Sequence, residues 1–141
     1  MNYNRIVYMR ESLELNQRQM AKELDVPKAT YASWEIDKFV IPIEYLARIC
    51  NIAGFSLDFA LSLSNDKSSP KKEIKIDYKK IGQNIRNIRI SNNLTQSEFA
   101  KILNTSRSSI SRFENGETKR LTIILHDIGK KYKISVDELC K

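Results

Sequence analysis

Apolar residues recur at helical spacing near the start of the second half of the chain. Ile81, Ile85 and Ile88 follow one another at intervals of four and three residues. This spacing places them on one face of a helix, so residues 78–91 are predicted to form an amphipathic helix that ends at Asn92-Asn93. Two later segments, 121–132 and 135–140, also carry spaced apolar residues and are predicted to supply the remaining core.

A second helix is predicted from a start signal at residues 95–98, which read TQSE. The Thr95 hydroxyl can cap the backbone at Glu98, and the Glu98 side chain can reach back to Thr95. This helix is expected to run to about Leu103. Asn104 follows it, and because asparagine tolerates a left-handed backbone, a tight turn into a third helix is predicted there.

The third predicted helix lies within NTSRSSISRFENG, residues 104–116. Ile110 and Phe113 are three residues apart and are expected to face inward. The opposite face then carries long donors and short hydroxyls: Arg107, Ser108, Ser111 and Arg112. Asn115-Gly116 is predicted to end the helix, since glycine suits the left-handed residue that closes it.

The chain contains an internal repeat at an offset of 79 residues, which aligns 4–62 with 83–141 without a gap. Arg10, Gln17 and Glu35 are among the residues that meet an identical partner. Matches at apolar and structural polar positions indicate two copies of one fold. We therefore predict an all-α protein with a domain over residues 1–64, a short polar linker over 65–76 and a second domain over 77–141.

Charge is distributed unevenly between the two halves of the chain, whose total net charge is +7. Residues 1–64 contain seven Lys/Arg and eight Asp/Glu, a net charge of −1, whereas residues 65–141 contain seventeen and nine, a net charge of +8. The second half is thus expected to meet a polyanion. A solvated basic face without a partner is the alternative that charge alone leaves open.

Several functional classes are disfavoured by the sequence. No apolar run approaches the roughly 18 to 20 residues of a membrane helix, and the amino terminus has no apolar signal core, so a cytoplasmic protein without membrane contact is expected. Cys50 and Cys140 lie far apart and are interpreted as small buried hydrophobes. His126 is the only histidine, and the sequence shows no paired carboxylates, glycine-rich phosphate loop or Cys/His dyad, so we expect no metal, no cofactor and no enzymatic activity.

The stretch LTQSEFAKILNTSRSSISRFENG, residues 94–116, resembles the Cro and lambda-repressor type of helix-turn-helix domain, also called the xenobiotic-response-element family. The resemblance extends through the repeat to nearly the whole chain outside the linker. It implies two tandem five-helix domains and a transcriptional regulator, typically a repressor, of prokaryotic or phage origin. In that family the third helix enters the major groove of double-stranded DNA.

The resemblance also implies residue roles in the second copy. The positions that face bases are Ser106, Arg107, Ser108, Ser111 and Arg112. The positions that contact the phosphate backbone are Gln96, Asn115, Thr118, Lys119 and Arg120. Arg89 and Glu114 match a structural ion pair between the first and third helices, and Arg10 and Glu35 keep the same separation in the first copy.

The first copy departs from this pattern at its reading surface. Lys28, Ala29 and Ser33 occupy base-facing positions, and Gln17 and Lys38 occupy phosphate-contacting ones. The loop that should contact phosphate has become apolar, because Phe39-Val40-Ile41-Pro42 replaces Thr118-Lys119-Arg120-Leu121.

Two interpretations remain open. The first copy is either a weak DNA half-site within a pseudo-dimer, or it carries an interface for self-association or for another protein, as in an antitoxin. That interface would be formed by the apolar segment FVIPIEYL, residues 39–46, with Phe55 and Phe59. Ile43, Leu46 and Ile49 are expected in the core, whereas for Phe39 and Val40 both core and interface remain open.

Overall fold

The computed structural model describes residues 4–68 and 72–141, and within these ranges the chain forms ten α-helices and no strand. It divides into two compact units, unit 1 ending at Ile74 and unit 2 beginning at Lys75. Each unit contains five helices, so the prediction of an all-α protein built from two tandem five-helix domains is confirmed.

Unit 1 contains the first five helices, and its core lies where they meet. Their bounds are α1 Asn4–Ser12, α2 Gln17–Glu23, α3 Lys28–Glu35, α4 Ile43–Ala53 and α5 Leu57–Ala60. The core is formed by fully buried side chains from every helix, among them Ile6, Met20, Tyr31, Leu46 and Leu57. Ile43, Leu46 and Ile49 are all buried, as the sequence predicted.

Unit 2 repeats this order of helices. Their bounds are α6 Tyr78–Ser91, α7 Gln96–Ile102, α8 Arg107–Glu114, α9 Thr122–Tyr132 and α10 Val136–Leu139. Of the predicted apolar faces, Ile81 and Ile85 of α6 and Ile110 of α8 are buried, whereas Ile88 and Phe113 are half-buried. Cys50 of unit 1 and Cys140 of unit 2 are both buried, which agrees with their interpretation as small buried hydrophobes.

The second helix of each unit begins with a reciprocal cap. In unit 2 the Glu98 amide donates to the Thr95 hydroxyl at 3.1 Å, and the Thr95 amide donates to the Glu98 carboxylate at 2.9 Å. This bond from the Thr95 backbone lowers the pKa of Glu98. Asn16 and Gln19 form the same arrangement in unit 1, with both bonds at 2.8 Å.

Left-handed residues make the turns that follow these helices. Asp25 and Asn104 both have φ of 55°, and Asn93, at the end of α6, has φ of 58°. Asparagine and aspartate reach this conformation at lower cost than most residues. The expected tight turns between the second and third helices are therefore present in both units.

A buried ion pair joins the first and third helices of each unit. In unit 2 the Arg89 Nε lies 2.7 Å from the Glu114 Oε2, and the Glu114 side chain is only 3% exposed. Arg89 also donates to the Leu94 carbonyl at 2.9 Å. In unit 1 the Arg10 Nη2 lies 2.9 Å from the Glu35 Oε1. The hydrogen bond to the carboxylate raises the pKa of Arg10 and of Arg89, so each guanidinium group is held in its charged form.

Part of the predicted linker packs onto unit 1. The Asn51 side chain donates to the Ile74 carbonyl at 2.9 Å and accepts from the Ile74 amide at 2.8 Å. Near the other end, Arg5 of α1 donates to the Ser64 carbonyl and to the Asn65 side chain, both at 2.5 Å. Residues 69–71 of the predicted linker, like residues 1–3 of the predicted first domain, lie outside the described residues. The domain and linker boundaries stay predictions.

Replacing Arg89 with methionine is expected to lower the free energy of unfolding of unit 2 by about 3 kcal/mol. The substitution leaves the Glu114 carboxylate buried without its cation, which costs more than the intact pair contributes. The measurement is a urea titration of the full chain followed by far-UV circular dichroism and by tryptophan fluorescence. Trp34 is the chain's one tryptophan and lies in α3, so fluorescence reports on unit 1.

Arg10→Met is the matched control, because it removes the equivalent arginine from unit 1. It should shift the fluorescence transition to lower urea, whereas Arg89→Met should shift only the part of the dichroism signal that comes from unit 2. A dichroism transition of Arg89→Met that coincides with that of the unmodified chain would contradict the structural role of this pair.

Candidate nucleic-acid interface

The helix α8 of unit 2 has one buried side and one exposed side. Ile110 is completely buried, whereas Arg107, Ser108 and Arg112 are exposed. Neither arginine side chain makes a hydrogen bond or an ion pair with any residue in the described ranges. Two long cationic side chains therefore extend from this helix with their donors available to a ligand.

The serines of α8 have two different roles. The Ser106 hydroxyl caps the helix by accepting from the Ser109 amide at 3.1 Å, and it lies 3.2 Å from the Ser108 hydroxyl. Ser111 is half-buried and its hydroxyl accepts from the Asn115 side chain at 3.5 Å. The five predicted base-facing residues thus lie on one helix and its cap, and all of them except Ser111 are exposed.

The predicted phosphate-contacting residues come from two places in unit 2. Gln96 is the first residue of α7, and its amide donates to the Glu114 carboxylate at 3.3 Å. The others lie just beyond α8, where Asn115, Lys119 and Arg120 are exposed and the Thr118 hydroxyl accepts from the Arg120 amide at 3.2 Å. Gly116, with φ of 69°, turns the chain into this loop.

The Glu114 carboxylate connects three helices at this surface. It accepts from Arg89 of α6 at 2.7 and 3.0 Å and from Gln96 of α7 at 3.3 Å, while it belongs to α8 itself. The start of α7 and the end of α8 are therefore held in fixed register. The predicted base-facing and phosphate-contacting residues lie on these two elements and on the loop that follows.

The structure places a further lysine, which the sequence did not indicate, beside this loop. A Cβ atom at Gly116 would lie 2.9 Å from the Lys79 Cα and 3.0 Å from its Cγ, so Lys79 packs directly against the loop. The sequence contains no local signal for this contact, because it depends on how α6 crosses α8. Gly116 indicates a tight turn, but it does not reveal which residue lies over it.

The equivalent surface of unit 1 differs in composition and in accessibility. Lys28 and Ala29, at the start of α3, are exposed. Ser33, expected to face bases, is instead 9% exposed and donates its hydroxyl to the Thr30 carbonyl at 2.6 Å. A serine side chain is short enough to be satisfied by its own helix backbone, whereas Arg112 at the same repeat position is long enough to reach solvent.

Gln17 and Lys38 occupy the predicted phosphate-contacting positions of unit 1. Gln17 is half-buried and its amide donates to the Glu35 carboxylate at 3.3 Å, as Gln96 does to Glu114. Lys38 is exposed and its Nζ lies 5.7 Å from the centre of the Phe39 ring. The cluster of arginine, glutamate and glutamine is thus common to both units, while the residues around it differ.

An exposed apolar patch lies beyond α3 in unit 1, formed by Ile36, Phe39 and Val40. Their side chains are 72%, 61% and 43% exposed. By contrast Phe55 and Phe59 are buried and stack on each other, with ring centres 4.8 Å apart. Of the apolar residues considered for an interface, Phe39 and Val40 therefore remain candidates, and Phe55 and Phe59 belong to the core.

Three further observations concern metal binding, the histidine and membrane spans among the described residues. Nowhere in the ranges 4–68 and 72–141 do three His, Cys, Asp or Glu side chains gather closely enough to hold a metal ion. The His126 ring lies 3.0 Å from the Asp127 carboxylate. In the same ranges, no helix combines the length and the apolar composition needed to cross a bilayer.

Comparison with known proteins agrees with this architecture. A family model described as helix-turn-helix matches residues 6–59 and again residues 85–139, one match in each unit. The antitoxin PezA of Streptococcus pneumoniae serotype 4 is 44% identical over 55 residues, which is 39% of this chain. The matched segment spans only 35% of PezA. No solved structure matches the chain.

The two matches of the family model together span well over half of the chain, and they coincide with the two five-helix units. The capped second helix, the left-handed turn and the exposed third helix of unit 2 are the parts that this architecture uses to meet a duplex. The chain therefore belongs to the Cro/C1-type helix-turn-helix family of DNA-binding regulators.

Proposed function

We propose that the chain is a sequence-specific transcriptional repressor that acts in the cytoplasm by inserting α8 of unit 2 into the major groove of duplex DNA. The observation that supports this most directly is the exposure of Arg107 and Arg112 opposite the buried Ile110. A helix with its side chains is about 10–12 Å across, and the major groove is about 12 Å wide. The dimensions of α8 therefore suit this groove.

The chemistry of α8 suits the reading of base edges. An arginine can donate two hydrogen bonds to the O6 and N7 atoms of guanine, so Arg107 and Arg112 are proposed to select guanines. Ser106, Ser108 and Ser111 add short donors and acceptors that adapt to neighbouring bases. Because the side chains of Arg107 and Arg112 form no ion pair with the described residues, binding does not require them to give up an internal one.

The phosphate contacts are proposed for Gln96 at the start of α7 and for the loop that follows α8. Asn115, Thr118, Lys119 and Arg120 lie in that loop. The net charge of +8 over residues 65–141 would attract the duplex before the specific contacts form. Repression would follow from occlusion, because a protein bound across a promoter blocks access to it.

The role proposed for unit 1 on DNA is a weaker one. Lys28 is exposed at the start of α3, but the short Ser33 side chain is buried where unit 2 has the long Arg112. Unit 1 thus offers fewer donors to base edges, and its residues 1–64 have a net charge of −1. We propose that unit 2 provides most of the affinity and the base selection.

A second candidate function is suggested by the apolar patch of Ile36, Phe39 and Val40. In the repeat these residues take the places of the polar residues Asn115, Thr118 and Lys119 of the proposed phosphate loop. A contiguous exposed apolar surface is typical of a protein interface. The similarity to an antitoxin agrees with a protein whose first unit binds a partner protein while its second unit regulates transcription.

Arg107→Ala and Arg112→Ala are each expected to weaken binding to the preferred duplex by about 1–3 kcal/mol, or roughly 5- to 150-fold. Each removes a bidentate donor, so the preference for one base should relax at a single position. The preferred sequence is first selected from a random duplex library with the full chain, and affinities are then measured by fluorescence anisotropy.

The control is Lys131→Ala, which removes an exposed charge at the far end of α9. It should change affinity much less than either arginine substitution, and it should leave the preferred sequence unchanged. If Arg107→Ala kept both the affinity and the sequence preference of the unmodified chain, α8 would not be the reading helix.

Lys119→Ala is expected to weaken binding to all duplexes alike, because a phosphate contact carries no base information. The slope of the logarithm of the binding constant against the logarithm of the salt concentration should become shallower by about 0.9. Titrations of the preferred and of a scrambled duplex at several salt concentrations measure both effects. A loss confined to the preferred duplex would instead assign Lys119 to base reading.

The double substitution Phe39→Ser and Val40→Ser tests the partner-binding candidate. Both side chains are exposed, so the fold and the affinity for DNA should be retained, while association with a protein encoded by the adjacent reading frame should be lost. Co-expression followed by size-exclusion chromatography measures the association. Equal co-elution of the double variant and the unmodified chain would contradict an interface at this patch.

A further inference from the structure

The first helix of unit 2 approaches α8 unusually closely at a glycine. A Cβ atom at Gly82 would lie 2.4 Å from the Phe113 carbonyl oxygen and 2.6 Å from that of Glu114. These are backbone atoms of the last turn of α8, and they cannot move aside as a flexible side chain can. The backbone of α6 therefore rests directly on the carboxyl end of α8, and the position of the first turn of α6 is fixed.

That first turn lies against the beginning of the loop that follows α8. The Cβ position of Gly116 is 2.9 Å from the Lys79 Cα and 3.0 Å from both its Cγ and its amide nitrogen. Lys79 precedes Gly82 by three residues, so both lie toward the same side of α6. The base of the Lys79 side chain is thus in contact with the loop that carries Thr118, Lys119 and Arg120.

The charged groups around Lys79 leave its ammonium group available. Asp77 accepts from the Lys79 and Lys80 amides and in this way caps α6. Glu117 follows Gly116 in the loop and is exposed. Neither carboxylate forms an ion pair with Lys79 within the described ranges. Lys79 is exposed, and its positive charge opposes the negative charge of Glu117, which would repel a phosphate.

We propose that Lys79 is a further phosphate-contacting residue of unit 2 and that it extends the binding surface for the DNA backbone from the loop after α8 onto the first turn of α6. Its ligand is a phosphodiester of the strand that crosses Thr118, Lys119 and Arg120. This proposal rests on the proposed function. Because the contact is to phosphate, Lys79 contributes affinity and orientation but no base selection.

Lys80 provides a matched control within the same helical turn. It is exposed like Lys79, and Asp77 caps both amides. Successive residues of an α-helix are rotated by about 100°, so Lys80 points about 160° away from the direction of Gly82 and hence away from α8. Lys79→Ala and Lys80→Ala remove the same charge from nearly the same place, and only the former alters the group beside the loop.

The experiment measures the binding of full-length variants to the selected duplex and to a scrambled duplex over a range of salt concentrations. Lys79→Ala should weaken binding to both duplexes by a similar factor, roughly tenfold at low salt, and should make the salt slope shallower by about 0.9. Lys80→Ala should keep the slope of the unmodified chain. Lys79→Arg keeps the positive charge, so it too should show the salt slope of the unmodified chain.

Equal salt slopes and equal affinities for Lys79→Ala and Lys80→Ala would overturn the proposal. Such a result would mean that the overall charge of the protein, and not a specific contact of Lys79, affects binding. Circular dichroism of each variant verifies that α6 is intact. Alanine is a strong helix former, so the substitutions should not disrupt this helix. If Arg107→Ala disrupts sequence reading while Lys79→Ala has no effect, this inference alone fails. If the unmodified chain binds no duplex, the proposed function fails and this inference with it.

Discussion

A buried carboxylate organises each unit of this protein. Glu114 closes α8 with its side chain almost completely buried, and a buried charge is tolerated only when donors surround it. Arg89 from α6 and Gln96 from α7 are those donors. One electrostatic requirement therefore fixes three helices relative to one another. The positions of α8 and of the loop beyond it, which carry the proposed DNA contacts, follow from that arrangement.

The two copies of the repeat keep the same buried cluster around the carboxylate, but they differ in the residues on their surfaces. Unit 1 keeps the same cluster in Arg10, Gln17 and Glu35, with bonds of similar length. Its surface nevertheless presents Phe39 and Val40 where unit 2 presents Thr118 and Lys119. Exposed side chains contribute little to the fold, so they are free to change while the buried cluster is kept. Two units of one architecture can in this way meet different partners.

Much of the architecture could be predicted from the sequence because its signals are local. The interval of four and three between Ile81, Ile85 and Ile88 gave α6, and the reciprocal cap of Thr95 and Glu98 gave the start of α7. The left-handed turn at Asn104 was also predictable, since only a few residue types accept that conformation. The repeat then extended these predictions to unit 1 without any further signal.

The remaining features depend on contacts between residues distant in sequence. The contact of Lys79 with Gly116 results from the crossing of α6 and α8, and nothing near either residue specifies it. The bonds between Asn51 and Ile74 join a helix to a segment that reads as a polar linker. The burial of Ser33 could not be predicted from the sequence either. A helical pattern gives the direction of a side chain, but it does not show whether the hydroxyl donates to a backbone carbonyl.

The Glu114 carboxylate accepts hydrogen bonds from two side chains, and this arrangement allows Gln96 to leave it for another acceptor. The Oε1 atom of Glu114 accepts from both Arg89 and Gln96, while Oε2 accepts from Arg89. If Gln96 turns outward to a phosphate, each carboxylate oxygen still keeps one donor. The glutamine can thus exchange an internal acceptor for an external one without exposing an unsatisfied charge in the interior. Gln96 is thus held beside Glu114 in the free protein, and Arg89 keeps the carboxylate paired when the glutamine turns outward.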